Sequence, residues 1–165
     1  MLRISKLTDY ATVLLATLAA EPARVHTATA LAERTRIAPP TVSKLLKQLH
    51  HAGLVSSTRG LHGGYQLARP ATQISAAGIL DALEGPLALT DCAVGHGQCG
   101  IEEVCRVGRS WQRLNHAIRR SLSEVTLAQL AGLDPVAARL PAVEREIKLA
   151  ARGAAPLDPT NLRSR

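Results

Sequence analysis

Only three of the 165 side chains are aromatic, Tyr10, Tyr65 and Trp111, and none is Phe, while 46% of the residues are hydrophobic. A core drawn from this supply has to be Leu, Val, Ile and Ala. Such side chains suit packed helices better than an aromatic-rich sandwich. At roughly 100–200 residues per domain, the length allows one compact domain or a small domain with an appendage. Three cysteines are too few, and odd in number, for a disulfide-stapled scaffold. No apolar run approaches the ~18 residues that span a bilayer. Residues 10–20 follow Arg3 and Lys6 and imitate a signal-peptide core. Asp9 at the mouth, with Thr12 and Thr17 inside, favours an amphipathic first helix instead. The expectation is a protein that is not secreted and has no membrane partner.

The hydrophobic pattern predicts a first helix over residues 8–21, stopped by Pro22, with Tyr10, Val13, Leu14, Thr17 and Leu18 turned inward. A short second helix fits 27–35, with Leu31 inward. After the turn at 37–40, proline at the first helical positions is tolerated, because those N–H groups lack intrahelical partners. The helix over 39–51 then carries Val42, Leu45, Leu46 and Leu49 on one face and Thr41, Ser43, Lys44, Lys47 and Gln48 on the other. Gly53 closes it. Residues 54–58 and 65–68 read as two strands around the glycine-rich loop Arg59-Gly60-Leu61-His62-Gly63-Gly64. Another short helix fits 75–83. Val107, Trp111, Leu114, Ile118 and Leu122 trace one stripe on a long helix, the pattern of a dimer seam. Thr126 is placed to cap a last short helix, and a loosely ordered tail rich in Ala, Arg and Pro is expected from 134.

Helix, helix, tight turn, helix and a two-stranded wing is the order of a winged helix-turn-helix. The fold class is therefore mainly α, with a long dimerisation helix appended. The charge agrees. Residues 1–70 hold nine Lys/Arg and three carboxylates, a net +6 of the chain's +7. Thr41, Ser43, Lys44 and Lys47 are candidates for base edges and phosphates in the major groove. On the glycine-rich loop, Arg59 and His62 can follow the DNA backbone, with Arg59 suited to the narrow minor groove. Double-stranded DNA is the expected partner. His50-His51, at a helix end without an acidic neighbour in sequence, reads as surface or backbone-contacting.

Cys92, Cys99 and Cys105 form C-x6-C-x5-C in one polar loop. Gathered thiolates are soft ligands for zinc or an iron–sulfur cluster. The pattern lacks the paired C-x2-C knuckles of a zinc ribbon and the C-x2-C-x2-C run of bacterial ferredoxins. Spacing alone leaves a cluster site, a zinc site, and inert or redox-active thiols open. A fourth ligand has to come from His96, Glu102 or Glu103 in the loop, or from elsewhere.

The opening Leu2-Arg3-Ile4-Ser5-Lys6-Leu7-Thr8-Asp9-Tyr10-Ala11, the wing through Leu67 and the three-cysteine loop together resemble the Rrf2 family of bacterial winged-helix regulators. Leu83-Glu84-Gly85-Pro86-Leu87 before the cysteines, and Pro39-Pro40-Thr41-Val42-Ser43-Lys44, look closest to its SUF-system branch. The resemblance covers about residues 1–132 and leaves the tail uncovered. It implies a cytoplasmic homodimer on a palindromic operator, tuned by a cluster at Cys92, Cys99 and Cys105, and control of an iron–sulfur assembly operon. IscR-like members carry a His three residues after the last cysteine; here that position is Gly108. NsrR-like members use an Asp in the first helix, and the matching residue is Asp9. The cluster type, 2Fe–2S or 4Fe–4S, stays open.

The expected organisation is a DNA-binding domain over 1–88, a cluster loop over 89–106, a dimerisation region over 107–133 and a tail over 134–165. Two other functions compete: a cluster-free regulator whose cysteines respond to oxidation, and an iron–sulfur electron or cluster carrier docking an acidic partner by its basic face. A carrier has no need of a recognition helix. An enzyme is not expected, and no catalytic residue is assigned. The chain holds no phosphate-binding G-x-x-x-x-G-K-S/T loop, no H-E-x-x-H and no G-x-S-x-G.

Overall fold

Ser5 opens the first helix, its Oγ accepting from Thr8 N at 3.2 Å in the computed structural model, which describes residues 4–60, 62–90 and 106–134. The expected cysteine loop and tail lie outside the described residues. Helix α1 covers Lys6–Ala20. It buries Thr8, Ala11, Leu14, Leu15, Leu18 and Ala19, whereas Val13, expected inside, is 41% exposed. The face is wider than expected and turned toward Ala11 and Leu15, because α1 is packed by neighbours on several sides. In a segment this apolar all round, overlapping 3- and 4-residue stripes fit equally well, so periodicity alone cannot choose between them.

Helix α2, Ala28–Thr35, is capped by Thr27, whose Oγ1 accepts from Ala30 N at 3.1 Å. Arg36, in the left-handed region at φ 56°, ends it. Ile37 is buried and anchors the turn into α3, Pro39–His51, which starts with both prolines in its first turn. Val42, Leu45, Leu46 and Leu49 are each 0% exposed, and each such side chain contributes ~1.5–3 kcal/mol by leaving water. Gly53, at φ 68°, turns the chain into β1, Val55–Thr58. This strand pairs antiparallel with β2, Gly64–Leu67, with Val55 opposite Leu67 and Thr58 opposite Gly64. The expected two-stranded wing has one further attachment: His26, between α1 and α2, forms an antiparallel bridge to Tyr65.

After a 3-10 turn at Ala71–Gln73 comes α4, Ala76–Glu84, capped by Ser75 and ended at Gly85 with φ 85°. Helix α5 is Gly108–Glu124 and helix α6 is Leu127–Leu130. Thr126 makes a full capping box with Gln129, worth ~0.5–2 kcal/mol. Residues 4–87 and 119–134 form one compact unit; 88–90 and 106–118 belong to a second. Within the first, α6 is tied to the 3-10 turn region by Leu127 N to Ile74 O at 2.7 Å and by the bond from Ala76 N to Val125 O at 2.8 Å. Asp81 receives Arg119 on both carboxylate oxygens, at 2.9 and 2.6 Å. Among the described residues, no helix is long and apolar enough to cross a membrane.

Candidate nucleic-acid interface

With its apolar face wholly buried, α3 can offer only one side to a ligand. That side carries Ser43, Lys44 and Lys47, all exposed, with Thr41 half-buried near its start. Two hydroxyls and two ammonium groups there suit base edges and phosphates. At the wing tip, Gly63 N donates to Gly60 O at 2.9 Å, closing a tight turn. Gly60 has φ 111°, and a Cβ on Gly63 would run into the Thr58 carbonyl oxygen, so the turn needs both glycines. Arg59, just before that turn, and His62, within it, are exposed.

Ion pairing sharpens the charge distribution. Glu21 takes Arg24 at 2.8 Å and Arg34 at 2.6 Å, and hydrogen bonds from these guanidiniums, Arg24 first, hold its carboxyl below the usual range. The cluster consumes two of the basic residues of the amino-terminal half. The side chains of Lys44, Lys47 and Arg59 make no ion pair or hydrogen bond among the described residues, so α3 and the wing carry uncompensated positive charge. Arg36 before α3 and Arg69 after β2 are also exposed. Sequence reasoning passed over both, because isolated arginines carry no spacing signal. His50 Nδ1 lies 3.2 Å from Val55 O, linking α3 to the wing's first strand.

Asp9 is exposed in the first turn of α1, its carboxylate without a hydrogen bond or ion pair among the described residues. It stands on the rim of a half-open cavity of about 330 Å³ whose walls include Ile4, Ile79, Leu80 and Leu122. Glu84, which sequence reasoning missed, accepts from Ser5 N at 2.9 Å and Thr8 Oγ1 at 2.5 Å, so it ties the end of α4 to the start of α1. Hydrogen bonds from Thr8, then Ser5, hold its carboxyl below the ordinary range. Cys92, Cys99, Cys105, His96, Glu102 and Glu103 lie outside the described residues. Among the described ones, no group of three metal-ligating side chains gathers.

A family model for Rrf2, described as an iron-dependent transcriptional regulator, matches residues 4–132. The Rrf2 protein of Nitratidesulfovibrio vulgaris is 36% identical over 100 residues, 61% of this chain and 67% of that one. The chain thus spans about two thirds of the length of such relatives. Among solved structures, the global cysteine regulator CymR of B. subtilis superposes with TM-score 0.63 at 27% identity, covering 81% of this chain and 99% of that one. IscR of T. potens gives 0.60 at 26% identity, covering 87% and 96%. The mainly helical fold with its two-stranded wing is shared with these winged-helix regulators.

Proposed function

The chain belongs to the Rrf2 family of transcriptional regulators, and from that premise we propose that it reads a palindromic operator as a homodimer and senses iron–sulfur status through a bound cluster. The observation that carries the DNA-reading part is the exposed Ser43, Lys44 and Lys47 on a helix whose other face is fully buried. Held that way, α3 enters a major groove with its hydroxyls toward base edges and its ammonium groups toward phosphates or guanine. Arg59 reaches the adjoining minor groove, where its charge is most strongly attracted, and His62 meets the backbone beside it.

Cys92, Cys99 and Cys105 would hold the cluster, with Asp9 as the fourth ligand. The donor set suits it: three soft thiolates with one harder, weakly held oxygen. The unpaired, exposed carboxylate of Asp9 supports this reading, since no existing bond has to break. A bound cluster supplies a centre that oxygen or nitric oxide can attack at its most weakly ligated iron. The rest belongs to the protein. Asp9 sits in α1, and α1 packs on α3, so a pull on its first turn reaches the recognition helix through core contacts. The Leu83-Glu84-Gly85-Pro86-Leu87 stretch supports an iron–sulfur assembly operon of SUF type as the target, and the family supports a cytoplasmic location.

The likeness to CymR favours a second reading, a cluster-free regulator whose cysteines respond to oxidation. Anaerobic purification separates the two. The cluster reading expects visible absorption that bleaches with oxygen or nitric oxide; colourless protein with full DNA response supports the second. Asp9→Ala should alter the resonance Raman spectrum and the DNA response, while His96→Ala leaves both as in wild type. The reverse pattern would remove Asp9 as ligand.

A further inference from the structure

His26 is 2% exposed, and its Nε2 is buried without a hydrogen-bond partner. Its backbone attaches the wing to the segment between α1 and α2: His26 N donates to Tyr65 O at 2.9 Å, and Tyr65 N donates to His26 O at 2.8 Å. A Cβ on Gly64 would stand 2.5 Å from the His26 carbonyl oxygen, so the strand lies against this residue with no room between them. On the imidazole side, Nε2 is 3.9 Å from Glu21 Oε2. That carboxylate is already committed, Oε2 to Arg24 and Oε1 to Arg34.

We propose that His26 is a positioning residue for DNA reading, pinning the wing to the head while neutral and releasing it when protonated. The proposal rests on the wing's meeting DNA. Protonated, the ring would be a third cation, beside Arg24 and Arg34, around a single carboxylate. Glu21 could turn toward it, but one carboxylate cannot balance three cations. The alternative is for the imidazolium to reach water, which pulls the His26 backbone away from Tyr65. Burial above all, with Arg34 and Arg24 adding to it against Glu21, holds the imidazole below its ordinary pKa. The sign follows. With the pKa lowered in the pinned state and ordinary in the released one, pinning is full above the ordinary value and is lost as pH falls below it. The loss levels off once pH has passed the lowered value. Its ceiling is about tenfold for each pKa unit separating the two states.

The test uses the full chain and a duplex that the protein itself enriches from a random-sequence pool. Its Kd is measured from pH 7.5 down to pH 5.5 at fixed ionic strength, for wild type and His26→Gln. The two proteins share the other five histidines, so the difference between the two profiles is the readout. Wild type should lose roughly threefold or more relative to His26→Gln, whose amide cannot take up the proton. In parallel, NMR of the wild-type protein follows the His26 ring and the Gly64 and Tyr65 amides. These amides should shift with the ring's midpoint, a measurement that stands even where His26→Gln folds poorly. Superimposable Kd profiles overturn the proposal. If the amides still follow the ring, the fault lies in the wing's contact with DNA; if they do not, it lies in the pin itself.

Discussion

The doubly substituted protein Leu114→Asp, Ile118→Asp is expected to sediment as a monomer at concentrations where the parent is a dimer. Val107 and Trp111 are 49% and 41% exposed, and Leu114, Ile118 and Leu122 are half-buried. They recur at helical spacing on or beside α5, Gly108–Glu124. A stripe of that kind needs a cover, and in the proposed homodimer a second copy of itself would provide one through a two-fold axis. Two carboxylates placed in the seam would be buried without partners, which association cannot offset. A palindromic operator is bound by two heads, and the second binds at the effective concentration set by the first. Separating them should weaken binding by roughly 10²–10⁴-fold. Circular dichroism should show the helices intact. A dimer that persists places the interface elsewhere.

Replacing Lys44, Lys47 and Arg59 together with Ala removes the uncompensated cations of α3 and the wing. All three are exposed and pair with nothing among the described residues, so stability should stay within about 0.5 kcal/mol of the parent. Operator affinity should collapse instead. The plot of log K against log salt should become shallower by roughly 0.9 for each phosphate contact removed, and a dimer loses every contact twice. Where one of them touches a base, discrimination at that position should fall by about 1–3 kcal/mol. An unchanged salt slope would assign DNA binding to another surface.

Much of this was legible in the chain, for identifiable reasons. Helix α3 could be read to both of its ends, because Val42, Leu45, Leu46 and Leu49 form a clean stripe bounded by Pro39-Pro40 and Gly53. The caps at Thr27, Ser75 and Thr126 were equally readable or lay within one residue of a boundary, since capping is a local signal. Helix α1 was readable only in part: Leu14 and Leu18 are buried as expected. Its apolar residues surround the helix, and only the neighbours decide that Ala11 and Leu15 go in and Val13 stays out. The bridge from His26 to Tyr65 and the bonds from Ser5 and Thr8 to Glu84 join residues 39 to 79 positions apart in the chain. Nothing in local propensity reports such contacts. The charge told its story in part: the net +6 pointed to a polyanion, but only the geometry showed Arg24 and Arg34 drawn onto Glu21 while Lys44, Lys47 and Arg59 stay exposed on α3 and the wing.

The central claim is that the exposed face of α3 lies in the major groove of an operator. Photo-crosslinking tests it without dependence on the cluster. A benzophenone side chain at Ser43, and another at Arg113 on α5 as a control, are irradiated on the self-selected duplex and the crosslinked bases are mapped. Ser43 should crosslink at two places per operator, centred about 34 Å apart along the duplex, and Arg113 at neither. Crosslinks from Arg113 with none from Ser43 would contradict the reading of α3 as the recognition helix.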